Sequence, residues 1–172
     1  GNFIAVGRLE KIKRFDLLIH AWKGIDEKLE IIGDGLEKNN LLTIIKDNNL
    51  TDQVTIRSEV NSQELCNIYR RAKALIITSS REGGPRVALE AAAFNLPVFG
   101  TNVGIMSELF PQEVLADPNN EEEIISLIRS FVPLAKNIDV SAIKERIFES
   151  YTVESSAKRV GKIYDSVLSN SL

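Results

Sequence analysis

Short runs rich in apolar residues alternate along the chain with longer stretches in which apolar residues recur at helical spacing. The short runs at 3–6, 29–32, 53–56, 74–77, 97–99 and 114–115 predict strands. The helical spacing predicts helices at 15–22, 36–48, 61–72 and 86–94, and from 121 to the end with breaks near 133 and 151. Asn61, followed three residues later by Glu64, predicts the N-terminal cap of the third helix. The run at 74–77 contains no polar residue, which is typical of a strand buried on both faces.

Strands that alternate with helices predict an α/β fold with a parallel sheet covered by helices on both faces. Right-handed crossovers would make it a doubly wound, Rossmann-like domain, followed by a C-terminal helical extension. Ligands of such sheets bind at the carboxyl ends of the strands. The loops that follow the predicted strands there are 7–14, 33–35, 57–60, 79–85 and 100–105.

Length and composition fit one globular domain and exclude several kinds of site. The 172 residues carry a net charge of −3, which gives no reason to expect a nucleic-acid partner. The single cysteine, Cys66, rules out an internal disulfide, and the single histidine, His20, makes a His-based metal site or a Ser-His nucleophile improbable. No apolar run reaches the roughly 20 residues of a membrane span. We expect no metal.

The loop after the first predicted strand is unusually basic for an acidic chain. Arg8, Lys11, Lys13 and Arg14 fall within seven residues. Such a loop at the end of a strand suits a pyrophosphate, because arginine can fork onto phosphate oxygens and lysine adds a point charge. Taken alone, the loop is more simply interpreted as a solvated surface segment.

The loop before the 86–94 helix carries more specific chemistry. Gly83 and Gly84 would let a ligand approach the backbone closely, and Pro85 fits the first turn of a helix. The free N–H groups of that helix start favour an anion. Glu82 and Glu90 could accept hydrogen bonds from sugar hydroxyls. Glu82 could equally be an exposed loop charge, whereas Glu90 is flanked by apolar residues and should need a partner.

Together these motifs resemble the C-terminal, donor-binding domain of GT-B glycosyltransferases, in particular the retaining glycosyltransferase family 4. Glu82 and Glu90 have the spacing of that family's Glu-x7-Glu motif. The segments 6–9, 32–35 and 96–98 also match family motifs, and the resemblance covers nearly the whole chain. One departure is Arg14, because the family commonly has glycine after the lysine.

The resemblance implies a role for each matching residue. Arg8 and Lys13 should contact the diphosphate of the donor, Glu82 the hydroxyls of the transferred sugar, and Glu90 the ribose. We therefore predict three catalytic residues, Arg8, Lys13 and Glu82. The predicted donor-binding residues are Glu90, Gly83, Gly84, Pro85, Arg86, Val87, Gly33, Asp34, Arg57, Ser58 and Val60, of which the segment 57–60 should border the nucleobase. The donor would be a UDP- or GDP-hexose, with no other cofactor.

The resemblance also implies a second domain. A GT-B enzyme has two Rossmann-like domains, and residues 1–172 have room for one, so we expect an acceptor-binding domain ahead of Gly1 and a helix at 152–169 that packs back toward it. The acceptor would be a glycan or a lipid-linked sugar. We expect a cytoplasmic enzyme with peripheral association at the inner face of the membrane, acting in polysaccharide or lipopolysaccharide biosynthesis.

Two other functions are compatible with the pattern: a different GT-B enzyme such as a nucleotide-sugar epimerase, and a non-catalytic nucleotide-sugar-binding module. The remaining distinctive side chains are expected to be structural. Trp22 should lie in the core, His20 at the surface, and Tyr69 and Tyr164 in packed helix faces.

Overall fold

The computed structural model describes residues 1–135, 138 and 140–151, apart from the side chains of 146 and 150. The strands are β1 (Phe3–Val6), β2 (Leu29–Ile32), β3 (Val54–Arg57), β4 (Ala74–Ile77), β5 (Val98–Thr101) and β6 (Leu115–Ala116). The α-helices are α1 (Phe15–Ala21), α2 (Lys38–Asp47), α3 (Ser62–Arg71), α4 (Arg86–Ala93), α5 (Met106–Leu109), α6 (Glu121–Phe131) and α7 (Ser141–Ser150). Two 3₁₀ turns, Lys11–Lys13 and Gln112–Val114, complete the described elements.

The strands form one parallel sheet with the order β3-β2-β1-β4-β5-β6. β1 pairs with β2 on one side and with β4 on the other, so the direction of winding reverses at β1. This is the strand order of the Rossmann fold, whose ligands bind in the crevice at the reversal point. The predicted doubly wound α/β class is confirmed.

The core forms where the sheet meets its covering helices. All four residues of β4 are buried, as its uninterrupted apolar run predicted. Trp22 is fully buried, packs edge-on against Phe3 with 5.5 Å between ring centroids, and donates its indole N–H to the Glu27 carbonyl. The predicted core position of Trp22 is confirmed, and His20 lies at the surface as expected. Asn61 caps α3 by accepting a hydrogen bond from the Glu64 N–H.

Several predicted boundaries are wrong by one or a few residues. Arg57 is the last residue of β3 and not part of the following loop. Gly100 belongs to β5, where a Cβ would lie 1.8 Å from the Ile77 carbonyl oxygen, so glycine allows close approach to β4. The last strand begins at Leu115 because the chain just before it forms a 3₁₀ turn. The four-residue α5 was not predicted.

The C-terminal part is helical as far as the structure describes it. α6 is capped by Asn120, and α7 lies against α4 and α5. The predicted helix at 152–169, with Tyr164, lies outside the described residues. Within the described ranges no helix combines the length and the apolar character needed to cross a bilayer.

Candidate functional site

A cleft opens at the carboxyl ends of the strands where β1 separates the two halves of the sheet. Its volume is about 400 Å³, which lies within the range of small-molecule sites. We call it the strand-end cleft, and its lining residues are Val6, Gly7, Arg8, Ile32, Gly33, Asp34, Glu59, Val60, Ser62, Leu65, Arg86, Val87 and Glu90. The predicted site residues in this list are Arg8, Gly33, Asp34, Val60, Arg86, Val87 and Glu90.

Two glycines allow the β1 and β2 loops to meet on one side of the cleft. A Cβ on Gly33 would lie 1.9 Å from the carbonyl oxygen of Gly7, so only glycine permits this approach. Gly33 also has φ +153°, a conformation that residues with side chains rarely adopt. Glycine at position 33 is therefore needed to form the wall of the cleft, whether or not it touches a ligand.

Lys13 and Glu82 form an ion pair at the edge of the strand-end cleft. The Lys13 ammonium lies 2.9 Å from Glu82 Oε1 and 3.4 Å from the position of a Cβ on Gly7, a cleft residue. Both side chains are mostly buried, with exposures of 18% and 15%. The Ser79 hydroxyl also donates to Glu82, so the carboxylate is held by two partners. The predicted cation and the predicted sugar-binding carboxylate thus lie together beside the cleft.

Further hydrogen bonds join the loop after β1 to the loop after β4. The Thr78 hydroxyl donates to the Lys13 carbonyl at 2.8 Å, and the Ser80 N–H donates to the Ile12 carbonyl at 2.8 Å. Because the acceptors are the backbone carbonyls of Ile12 and Lys13, these bonds fix the position of the Lys13 backbone and so of its Cβ atom. The two loops that the sequence predicted to bind one ligand are therefore a single connected unit.

Arg14 occupies a left-handed backbone conformation, with φ 52° and ψ 39°. A residue with a side chain is disfavoured there by about 1 kcal/mol relative to glycine. Its guanidinium donates to the Pro118 carbonyl at 3.0 Å and pairs with Glu121 at the start of α6. The Arg14 side chain, which stands where the family commonly has glycine, is thus bound to the start of α6 and does not line the strand-end cleft.

The start of α4 forms the opposite wall of the cleft. Pro85 is the buried N-cap residue, one position before the predicted first turn, and Arg86 and Val87 line the cleft. The first N–H groups of a helix have no partner within it and favour an anion. A Cβ on Gly83 or on Gly84 would meet no other atom of the described chain within 4 Å. The Cα atoms of both glycines therefore face open space, although neither glycine lines the cleft itself. Their contact with a ligand stays a prediction.

The expectation that Glu90 lies in apolar surroundings is wrong, because its side chain is exposed at the cleft. Helical geometry turns it away from the sheet, which Ala88, Ala91 and Ala92 face instead. Glu90 does have a partner: its Oε2 accepts a hydrogen bond of 3.0 Å from the Tyr69 hydroxyl. The sequence assigned Tyr69 to packing alone and missed this polar role. Burial, with the nearby Glu90 charge, raises the pKa of the Tyr69 hydroxyl, which therefore stays protonated.

The segment at 57–60 is held by Asp34 more than by its own side chains. Asp34 accepts hydrogen bonds from the Lys38 ammonium at 2.6 Å and from the Glu59 N–H at 3.1 Å. Lys38 also donates to the Ser58 hydroxyl at 3.0 Å, and Ser58 is not among the residues that line the cleft. The hydrogen bond from Lys38, with that from the Glu59 N–H, lowers the pKa of Asp34.

Arg57 does not line the strand-end cleft either. Its guanidinium contacts Glu30 of β2 at 3.5 Å and pairs with Glu64 of α3. Because β3 lies at the sheet edge, these bonds fasten that edge to its neighbours. The expectation that the Arg57 side chain borders a nucleobase is not met by its position, whereas Val60 in the same segment does line the cleft.

The lowered pKa of Asp34 predicts a pH-dependent contribution to stability. An aspartate whose folded-state pKa is depressed stabilises the fold above its unfolded pKa of about 4, and this stabilisation is lost as pH falls through the lower folded value. The difference in unfolding free energy between the native chain and Asp34→Asn should therefore be constant near neutral pH and shrink below pH about 4. Urea unfolding between pH 3 and 7 measures it. Asp47→Asn, at the far end of α2, is the control, and a difference that grows with acidity would contradict the assignment.

A larger concavity, about 840 Å³, is lined by Lys11, Arg14 and Arg81 together with residues of α1, α2 and α6. None of the residues that the sequence predicted for the donor lines it. We assign the candidate site to the smaller strand-end cleft, because there Arg8, the carboxylate of Glu90 and the start of α4 meet at the reversal point of the sheet, with Lys13 beside them.

Comparison with known proteins identifies the family of the chain. Residues 2–161 match the family described as Glycosyl transferases group 1. The chain belongs to this family. Over 117 residues it is 35% identical to the amylovoran biosynthesis glycosyltransferase of Erwinia amylovora, a match that covers 66% of this chain and 32% of that protein. The chain spans 32% and 48% of the first two curated relatives that it matches.

Solved structures share the fold of this group 1 glycosyltransferase chain. The C-terminal domain of a group 1 family protein from Francisella tularensis has a TM-score of 0.75 at 21% identity, with 88% of this chain and 87% of that one covered. A pneumococcal O-GlcNAc transferase, solved with UDP and GlcNAc, has a TM-score of 0.76 at 21% identity, with 97% of this chain and 36% of that one covered. At these identities the likeness establishes the Rossmann-like fold alone.

Proposed function

We propose that this group 1 chain is the donor-binding domain of a retaining glycosyltransferase. The complete enzyme would transfer a hexosyl unit from a UDP- or GDP-hexose to a glycan or lipid-linked acceptor. The observation that carries the proposal is the strand-end cleft, where Arg8 and Glu90 line one cavity beside the Lys13–Glu82 pair and the start of α4. The likeness to an O-GlcNAc transferase solved with UDP supports a nucleotide-sugar donor.

The diphosphate would lie between the basic loop and the start of α4. Arg8 is largely exposed and forms an ion pair with Glu10 at the surface, so its guanidinium can turn to phosphate oxygens. The Lys13 ammonium already lies beside Gly7. As the bond to the sugar breaks, negative charge accumulates on the departing diphosphate. Cations and helix-start N–H groups fixed in position stabilise that charge without reorganising during the reaction.

Glu82 and Glu90 would recognise the two sugars of the donor. An ionised carboxylate is an acceptor with two oxygens, and sugar hydroxyls are donors. Glu82 is at the Lys13 end of the site, which suits the transferred hexose, and Glu90 is on the α4 wall of the cleft, which suits the ribose. The loop segment that contains Val60, held by Asp34, would border the base.

The acceptor would be bound by a second Rossmann-like domain of the complete enzyme. The match to a separate C-terminal domain, which covers 87% of that chain, and the partial coverage of longer relatives support this division. The complete enzyme would work in the cytoplasm at the inner face of the membrane, in polysaccharide or lipopolysaccharide synthesis.

The proposal predicts that the 172-residue chain binds a nucleoside diphosphate in preference to the nucleoside. Saturation-transfer NMR and calorimetry with UDP, GDP, ADP and uridine would measure this preference. Glu90→Ala should weaken binding of the preferred diphosphate about tenfold, because hydrogen bonds to a charged group are worth about 1.5–3 kcal/mol. The chain alone should bind weakly and transfer no sugar, since the acceptor domain would be absent.

Glu122→Ala is a matched control, because it removes an exposed carboxylate from the first turn of α6, and it should leave binding unchanged. Equal affinity for uridine and UDP would contradict a diphosphate site. Failure to bind any nucleotide would contradict the donor-binding role, and sugar transfer by the chain alone would contradict the two-domain arrangement.

A further inference from the structure

The hydroxyl of Tyr69 reaches Glu90 across the gap between α3 and α4. Tyr69 is 2% exposed, and its oxygen lies 3.0 Å from Glu90 Oε2. The tyrosine ring packs against Phe94 with 5.8 Å between centroids, and the Arg70 guanidinium lies 5.1 Å from the centre of the same Phe94 ring. A buried and packed ring fixes the hydroxyl at one point in space, so the hydrogen bond has a rigid donor.

Glu90 itself has the opposite character. It is exposed on the wall of the strand-end cleft, and glutamate side chains lose considerable rotamer freedom when they are held in one geometry. A ligand that recruited a freely moving Glu90 would bear that entropy cost during binding. A hydrogen bond from a fixed donor restricts the Glu90 rotamers already in the free protein, so ligand binding loses less side-chain entropy. This is the usual basis of preorganisation.

We propose that Tyr69 is a positioning residue that holds Glu90 in the orientation in which it receives the hydroxyls of the donor's ribose. The inference rests on the proposed function, because it assigns a partner to the ribose-binding carboxylate of that site. The Tyr69 hydroxyl uses Oε2, and a carboxylate offers two oxygens, so Oε1 remains to accept from a ligand hydroxyl.

The protonation state of Tyr69 suits this role. Burial raises the pKa of its hydroxyl, so Tyr69 remains a donor throughout the physiological range. A neutral donor also leaves the negative charge on Glu90. Hydrogen bonds from sugar hydroxyls to an ionised carboxylate are stronger than those to a neutral acceptor.

Tyr69→Phe tests the inference, because it removes the hydroxyl and keeps the ring. Calorimetry would give the dissociation constants of UDP and 2′,3′-dideoxy-UDP, or of the guanosine pair if GDP is preferred. We expect Tyr69→Phe to weaken the diphosphate about fivefold, part of the effect of a hydrogen bond to a charged group. The dideoxy ligand should bind the variant and the native chain equally. The dissociation constant of the dideoxy ligand divided by that of the diphosphate, which we call the ribose ratio, should therefore fall in the variant.

A double-mutant cycle separates positioning from packing. In a Glu90→Ala background, Tyr69→Phe should have no further effect on UDP binding, because the carboxylate that it orients is gone. Tyr151→Phe is the matched control, since Tyr151 donates a comparable hydrogen bond of 2.9 Å to Glu108 and is not among the residues that line the cleft. It should leave both constants unchanged, and thermal unfolding of each variant checks that the fold is kept.

The outcomes distinguish the two proposals. If Glu90→Ala lowers the ribose ratio and Tyr69→Phe leaves it unchanged, the positioning role of Tyr69 is wrong and the proposed donor site stands. An equal loss of affinity for both ligands in Tyr69→Phe would mean that the tyrosine acts by packing, and this also overturns the inference. If neither nucleotide binds the native chain, the proposed function fails and the role of Tyr69 fails with it.

Discussion

Replacing Lys13 by alanine should weaken the binding of a nucleoside diphosphate about thirtyfold, because charge-assisted hydrogen bonds to phosphate are worth about 1.5–3 kcal/mol. The ammonium is already at the edge of the cleft, beside Gly7 and 2.9 Å from Glu82. Little ordering is then required of it when the ligand arrives. Loss of Lys13 would also remove the ion-pair partner of Glu82, and the unpaired carboxylate would repel the diphosphate. Isothermal calorimetry with UDP or GDP measures the effect.

Lys11→Ala is the control for this prediction. Lys11 belongs to the same 3₁₀ turn and carries the same charge, but it is exposed and lines the larger concavity instead of the strand-end cleft. It should change the affinity less than about twofold, because an exposed charge away from the ligand is screened by salt. If both alanine variants weaken binding equally, the loop acts through its overall charge, and the specific role of Lys13 is wrong.

Gly33→Ala should lower the free energy of unfolding by about 3 kcal/mol or more, because overpacking of backbone against backbone adds to the strain of an unfavourable φ. The added methyl group would lie 1.9 Å from the Gly7 carbonyl oxygen. The backbone there cannot easily move aside. The Gly7 N–H donates to Ile32 at 3.0 Å and the Gly33 N–H donates to Arg57 at 2.9 Å, so a shift would break the pairing at the ends of three strands.

Urea unfolding followed by circular dichroism measures this loss. Gly24→Ala is the matched control, because Gly24 also has a positive φ, +86°, but a Cβ there meets no atom of the described chain within 4 Å. It should cost about 1 kcal/mol, the conformational strain alone. Equal losses for the two variants would show that the close contact between the β1 and β2 loops contributes nothing.

The fold could be predicted from the sequence because its signals are local. The apolar run of β4 and the helical spacing of Phe15, Leu18 and Trp22 each depend on a few neighbouring residues. Once strands and helices alternate, parallel pairing and the rule for strand ends bring the loops after β1 and β4 together, so Arg8 and Glu90 could be placed near one another.

The missed features depend on packing between elements that are distant in sequence. Helical spacing places Tyr69 on the apolar face of α3, but it cannot indicate that the hydroxyl meets a residue of α4. Similarly, the resemblance implied that the segment with Arg57 borders the nucleobase, whereas the Arg57 guanidinium is bound by Glu30 and Glu64. For Tyr69 the sequence offers one signal of a polar role: its hydroxyl is a polar group on an otherwise apolar helix face, and a buried hydroxyl needs a hydrogen-bond partner.

The anchoring of Arg14 sets a lower limit on the fragment that can retain the cleft. A polypeptide shortened to end before Pro118 would keep all six strands and every residue that lines the strand-end cleft. It would nevertheless lose the carbonyl of Pro118 and the carboxylate of Glu121, the two groups that hold the left-handed turn next to Lys13. Truncated versions prepared for crystallisation or screening should therefore extend through α6.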